Sequence, residues 1–314
     1  MTNVFTSKRI GFIAPNIFAM AAMGLIKYFQ MESGVFIFSE FIIIPVVMGI
    51  ISAWFWRDLE LKGLWVSRYS IYNTVIVIGC SYFFVKEGSI CLIIVSPLIF
   101  SFLLLGAFLG ASMFKRNNQK LNVSIIAALL FIFVADSLST HHYENMVSDT
   151  ITVNAPPDKV WKNVVAFKRI KQPNKYWLFR IGMPSPVEST VTGYYEGAGR
   201  KCIFSNGYIF DERIATYQPG VNLTFDVTHQ PRDPEIMNHI DILRGQFLLK
   251  DNHDGTTTLT GNSWYRLYVF PVWYYDIWAE SITRNVHLRV MEHIKELSEA
   301  GADSFESKVI SRKY

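Results

Sequence analysis

The chain has 314 residues, half of them hydrophobic, with a mean hydropathy of +0.21 and only 18% charged residues. Soluble domains average about 25% charged residues, so part of this chain is not built for water. The deficit is local: residues 1–145 hold 10 Lys/Arg and 7 Asp/Glu, whereas residues 146–314 hold 20 and 19. The composition therefore describes two regions in series, one for a membrane and one for water. The net charge of +4 splits as +3 and +1 between them, so neither carries the dense basic face of a nucleic-acid binder. Three cysteines, Cys80, Cys91 and Cys202, cannot build a disulfide framework. Aromatic content of 15% without a low-complexity tract excludes a disordered chain.

A helix needs about 20 apolar residues to cross a bilayer. Five stretches qualify, at residues 10–29, 35–56, 69–85, 89–114 and 121–138, so residues 1–140 are expected to form a transmembrane bundle of about five spans. Lys8, Arg9, Arg57, Lys62, Arg68, Lys115, Arg116 and Lys120 fall on one side of that topology, and only Lys27 and Lys86 on the other. By the positive-inside rule the N-terminus is cytoplasmic, and the region after the last span lies outside the cytoplasm. The expectation is a multi-pass cell-membrane protein. Lys8-Arg9 followed by Ala19-Met20-Ala21 resembles a signal peptide, but the apolar run continues to Phe29 and Pro15-Asn16 interrupts it. Ionisable groups within the spans are few, Glu40 and Asp136, and both lie near span ends. With only Asn16, Asn73 and Thr74 as further polar groups, the spans read as an anchor rather than a conduit.

Residues 141–149 read as a polar linker, including His141 and His142, and residues 150–300 as a globular domain. Ile151–Val153 alternates as a strand and stops at Pro156-Pro157. Asp158 is placed to cap a short helix over Lys159–Ala166. Strands follow at 188–195, 200–205, 208–217, 222–229, 239–250 and 256–269, punctuated by Asn206-Gly207, Pro219-Gly220 and Asp254-Gly255. Such tight turns favour hairpins and hence an antiparallel meander. A long helix over 272–300 closes the domain, with Trp278, Ile282, Val286, Val290, Ile294 and Leu297 at the spacing of a buried stripe. Residues 301–314 read as a polar tail.

The opening Ile151-Thr-Val-Asn-Ala-Pro-Pro-Asp-Lys-Val-Trp161, the central Gly199-Arg-Lys-Cys-Ile-Phe-Ser-Asn-Gly207, the strand Thr256–Thr260 and the helix ending His293–Leu297 carry a resemblance. This part of the chain resembles the START-like superfamily, the SRPBCC group that includes polyketide cyclase/dehydrase-type domains. The resemblance covers about 150 residues and none of the spans. It implies an α+β helix-grip fold, an antiparallel sheet wrapped around a long C-terminal helix, with a cavity for an apolar or amphipathic ligand. It transfers no catalytic residue, because the group shares no catalytic set.

Alternation then proposes side chains for that cavity. Glu212 lies on the more apolar face of its strand, and an inward carboxylate needs a partner or a raised pKa. Arg200, Arg244 or His229 are the candidate partners. Phe225 and His229 share the inward face of 222–229, and Arg213 is a second charge within a strand. His239, Asp241 and His229 lack zinc-like spacing, so no metal is expected, and no cofactor motif is present. In residues 264–278 eight of 15 residues are aromatic, among them Trp264, Trp273, Tyr274 and Trp278. They cannot all be core, and the excess is expected at a cavity mouth or a bilayer interface. Three function classes remain open: a membrane-anchored binder of a hydrophobic or lipid-like small molecule, an enzyme acting on such a molecule (cyclase/dehydrase- or hydrolase-like), and a sensor or interaction module with a protein partner.

Overall fold

The computed structural model describes residues 2–29, 42–59, 63–86, 88–114, 143–231, 239–269 and 271–310. They form two compact units, an N-terminal helical one and a second from the first strand onward.

The helical unit contains α1 (Thr2–Phe29), α2 (Ile44–Trp56), α3 (Gly63–Cys80) and α4 (Ser89–Met113). Among the described residues two helices are long and apolar enough to cross a membrane, over Thr6–Ile26 and Ser89–Met113. This corrects the expectation of about five such spans, and the reasons are physical. Only 13 residues of the second run are described as helix. The third begins at Gly63 rather than 69 and spends positions on Arg68, Ser70, Asn73 and Thr74, which dilute its apolar character. The run at 121–138, with Asp136, lies outside the described residues, as does Glu40. The break that chain length demands between the third and fourth runs is present. α3 passes into a wider turn at Ser81–Val85, and Lys86 ends it in the left-handed region at φ 66°.

Small residues let the backbones of α2 and α4 approach closely. A Cβ on Gly49 would stand 2.1 Å from the Leu103 carbonyl oxygen, and one on Gly106 2.0 Å from that of Val46. The polar residues Asn16 and Asn73 meet. Asn16 Nδ2 donates to Asn73 Oδ1 at 2.9 Å, and Asn73 Nδ2 donates to Ser52 Oγ at 2.9 Å and to the Gly11 carbonyl at 3.2 Å. These bonds tie α1, α2 and α3 together.

The second unit is one seven-stranded antiparallel sheet with a long helix. Its strands are β1 (Tyr143–Val153), β2 (Pro186–Val191), β3 (Gly199–Phe204), β4 (Ile209–Gln218), β5 (Asn222–His229), β6 (Ile240–Asp251) and β7 (Thr257–Leu267), in the order β1-β7-β6-β5-β4-β3-β2. Two helices separate β1 from β2, α5 (Pro157–Val165) and the single turn α6 (Trp177–Arg180), and α7 (Val272–Ile310) follows β7. This is the helix-grip arrangement.

Three local expectations change. β1 starts at Tyr143, so residues 143–149, expected as linker, pair with β7 from Leu267 to Gly261. The alternation Asn145, Val147, Asp149, Ile151, Val153 sends every second side chain toward the helix, and the charge on Asp149 hid that pattern. α5 starts at Pro157, whose fixed φ suits a first helical position. Its N-cap is Pro156, and Asp158 lies in the first turn rather than at the cap. α7 continues through the expected tail to Ile310.

The buried stripe of α7 also differs. It runs Tyr275, Ala279, Thr283, His287, Val290, Met291, Ile294 and Ser298. Trp278, Ile282, Val286 and Leu297 flank it, half-buried. Hydrophobicity alone discounts Thr283 and His287, yet His287 takes a core position because hydrogen-bond partners meet it there. Toward the C-terminal end of α7, Val290, Met291 and Ile294 join Leu259, Phe247 and Val164 in one apolar cluster, flanked by the buried polar residues His293 and Ser298. α7 approaches β1, β7 and β2 closely, while the middle strands β3–β6 lie farther from it. The sheet thus wraps the helix, and the face it turns toward α7 is the interior face of the domain.

Candidate functional site

The interior wall follows from register. Arg200 on β3 pairs with Glu212 on β4, Cys202 with Phe210, and Glu212 with Val227 on β5. Paired residues share a face, so these side chains point with Ile214 and Phe225 toward α7. Arg200 and Glu212 are buried, whereas Cys202, Phe204, Phe210 and Val227 are only part-buried. The wall is thus an apolar surface above a charged floor.

That floor is a closed ion pair. Arg200 Nη1 donates to Glu212 Oε2, Arg200 Nε donates to the Val165 carbonyl at 3.3 Å, and the guanidinium lies 4.3 Å from the Phe225 ring centre. Burial pushes the Glu212 carboxyl upward against the pull of Arg200. The Cys202 thiol is pushed up to about 12 by burial and by Glu212. Phe225 seats its ring over Gly245 on β6, where a Cβ would come within 2.4 Å of it. The Phe204 and Phe210 rings meet at 4.9 Å.

Polar side chains from three elements meet on the β1–β7 side of α7. His287 Nδ1 lies 2.9 Å from Asp149 Oδ2, and Nε2 lies 2.7 Å from Ser263 Oγ. Asp149 also accepts from Arg284, whose other arm reaches Glu280 at 2.8 Å. About three turns toward the start of α7 the Tyr265 hydroxyl donates to Asp276, and Asn145 Nδ2 donates to both oxygens of the same carboxylate at 3.1 and 3.2 Å. Burial, with Asp276 beside it, raises the Tyr265 phenol. It is a fixed donor.

The residues singled out from sequence divide. Glu212 and Phe225 are on the interior wall, and the partner of Glu212 is Arg200, not Arg244 or His229. Arg244 is exposed on the other face, paired to Asp226 at 2.6 Å, and Arg213 is exposed as well. His229, the last residue of β5, is exposed rather than enclosed at a cavity end. Trp264 lies on the outer face of β7 opposite Met146 and Arg244. On α7, Trp278 packs edge-on against Trp177 at 6.4 Å, Tyr274 is half-buried, and Trp273 is 67% exposed. Asp149, Ser263 and His287 were not singled out. The signal for them was a charge at an alternating strand position and a histidine on the helix stripe.

No protein-family model matches the chain, and no curated protein matches it. Among solved structures, truncated norcoclaurine synthase from Thalictrum flavum aligns at 10% identity with a TM-score of 0.36, covering 51% of this chain and 96% of that one. The Zhui aromatase/cyclase from Streptomyces sp. R1128 aligns at 11% identity and a TM-score of 0.35, covering 50% and 94%. A protein from Mesorhizobium loti aligns at 15% identity and a TM-score of 0.34, covering 50% and 98%.

Proposed function

We propose that this chain is a membrane-anchored protein whose helix-grip domain lies outside the cytoplasm and takes up an amphipathic, lipid-like small molecule between α7 and strands β3–β6. One observation carries the reading: a buried Arg200–Glu212 pair beneath a part-exposed apolar wall of Cys202, Phe204, Phe210 and Val227. Apolar wall that folding leaves part-uncovered gains free energy when a ligand covers it, at about 25 cal/mol per Å², and a few polar groups then orient the ligand. The guanidinium, held by Glu212, Val165 and Phe225, is such an orienting group.

The anchoring reading is supported by α1 and α4, and by cations stacked on rings in the helical unit. Lys8 lies 4.9 Å from the Tyr69 ring centre, Arg57 3.9 Å from that of Trp54, and Arg68 4.8 Å from that of Trp65. Trp56 and Tyr69 themselves meet at 5.2 Å. Aromatic and basic residues in this combination favour the headgroup level, and Lys/Arg excess marks the cytoplasmic side. On α7, Trp273 and Ile277 are exposed one turn apart, a pair suited to meeting a bilayer surface beside the interior.

The test uses the full chain in lipid nanodiscs with a diazirine-bearing palmitic acid, irradiated and mapped by peptide mass spectrometry. Crosslinks at Cys202, Phe204, Phe210 or Val227 are expected, with a lower yield in Trp273→Ser. Crosslinks confined to the four N-terminal helices would overturn the reading.

A further inference from the structure

The ion pair and apolar wall leave Ser263, His287 and Asp149 without a role. They come from β7, α7 and β1, separated by up to 138 residues in sequence, and they meet at 2.7 and 2.9 Å. The proton positions follow from chemistry. An ionised carboxylate only accepts, so the His287 proton sits on Nδ1, facing Asp149. The Nε2 lone pair then faces Ser263, whose hydroxyl donates to it. Burial holds His287 below its ordinary pKa, the nearby Arg284 adds to that, and Asp149 opposes both. The imidazole is therefore a neutral base at pH 7. Arg284 binds the other Asp149 oxygen, which fixes the orientation of the carboxylate.

Exposure separates the three. Asp149 and His287 are buried at 8% and 5%, whereas Ser263 is part-exposed. Ser263 pairs across the ladder with Gly245, over which the Phe225 ring lies. Ser263 thus stands next to Phe225 of the interior face, the ring that also carries the Arg200 guanidinium.

We propose that Ser263, His287 and Asp149 form an acyl-transfer relay acting on an amphipathic ester held in the interior, with Ser263 as nucleophile, His287 as base and then acid, and Asp149 as the positioning residue. This rests on the reading that the interior takes an amphipathic molecule. Ser263 Oγ bonds to the ester carbonyl carbon as its proton passes to His287 Nε2. The tetrahedral adduct expels the alcohol, which takes that proton as the carbon–oxygen bond breaks. Water then attacks the acyl-Ser263, its proton passing to Nε2 and on to Ser263 Oγ as the carboxylic acid leaves. No redox partner is needed.

The test treats the full chain in detergent micelles with an alkyl fluorophosphonate, which phosphonylates activated serines, and reads intact mass and the labelled peptide. The expected result is one adduct on Ser263, absent in Ser263→Ala and formed roughly 100-fold more slowly in His287→Gln. Labelling should also slow in acid as Nε2 takes a proton, at a pH below the ordinary histidine value. A cooperative thermal transition in both variants, with the midpoint only slightly lowered, separates lost chemistry from lost folding. No adduct, or an adduct elsewhere that persists in Ser263→Ala, overturns the relay. Palmitic acid crosslinks to the wall without a Ser263 adduct refute the relay alone. A Ser263 adduct without those crosslinks upholds the relay and refutes the lipid-like ligand.

Discussion

One helix passes through two environments. From Val290 onward α7 buries Val290, Met291 and Ile294 in an apolar cluster. Between Asp276 and His287 the same helix meets the sheet through hydrogen bonds, His287 to Asp149 and Ser263 and Asp276 to Tyr265. Burying a methylene is worth about 0.8 kcal/mol, whereas a hydrogen bond exchanged with water nets about 1 kcal/mol for the whole group. The apolar cluster thus contributes more of the stability of the grip than the hydrogen-bonded stretch does.

The sharpest way to break this contrast lies beside it, at the buried pair. Glu212→Ala leaves the Arg200 charge buried without its partner and should cost about 3–5 kcal/mol, read as a lowered denaturation midpoint. Arg200→Met combined with Glu212→Leu should recover most of that loss, because the penalty is an unpaired charge and not a missing contact. Within α7 the contrast is direct. Ile294→Ala opens a cavity in the apolar cluster and should cost about 2–5 kcal/mol. Ser263→Ala removes one hydrogen bond and should cost about 1 kcal/mol. Equal midpoint shifts for the two would make the hydrogen-bonded stretch a structural bolt. The smallest effect is in pH. His287 is held below 6.5, and burial lowers His239 to about 4. The folded state therefore binds fewer protons than the unfolded chain, so stability present above pH 6.5 is lost as pH falls through the folded values. A midpoint titration should show that loss, with a shallower slope in His287→Gln.

Much of the domain was legible as pattern. β3–β7 were found to within two residues because Asn206-Gly207, Pro219-Gly220 and Asp254-Gly255 punctuate alternating runs. Glu212 was legible as an inward charge, since parity within a strand is local. Its partner was not, because Arg200 is chosen by the register of β3 on β4, a tertiary fact. β1 was read short because Asp149 breaks the apolar alternation that would have extended it to Tyr143. His229 was assigned inward by parity, but it ends its strand and parity says nothing of what covers a strand end.

By itself the sequence determined the division into an apolar half and a water-compatible half, since charge density is a property of composition. It also determined the order of strands and helices, since periodicity and turn residues act over a few positions. Only the tertiary structure decided which face of α7 turns inward and that Asp149, Ser263 and His287 meet. Hydrogen-bond partners more than 100 residues apart become neighbours only after the sheet has closed around the helix.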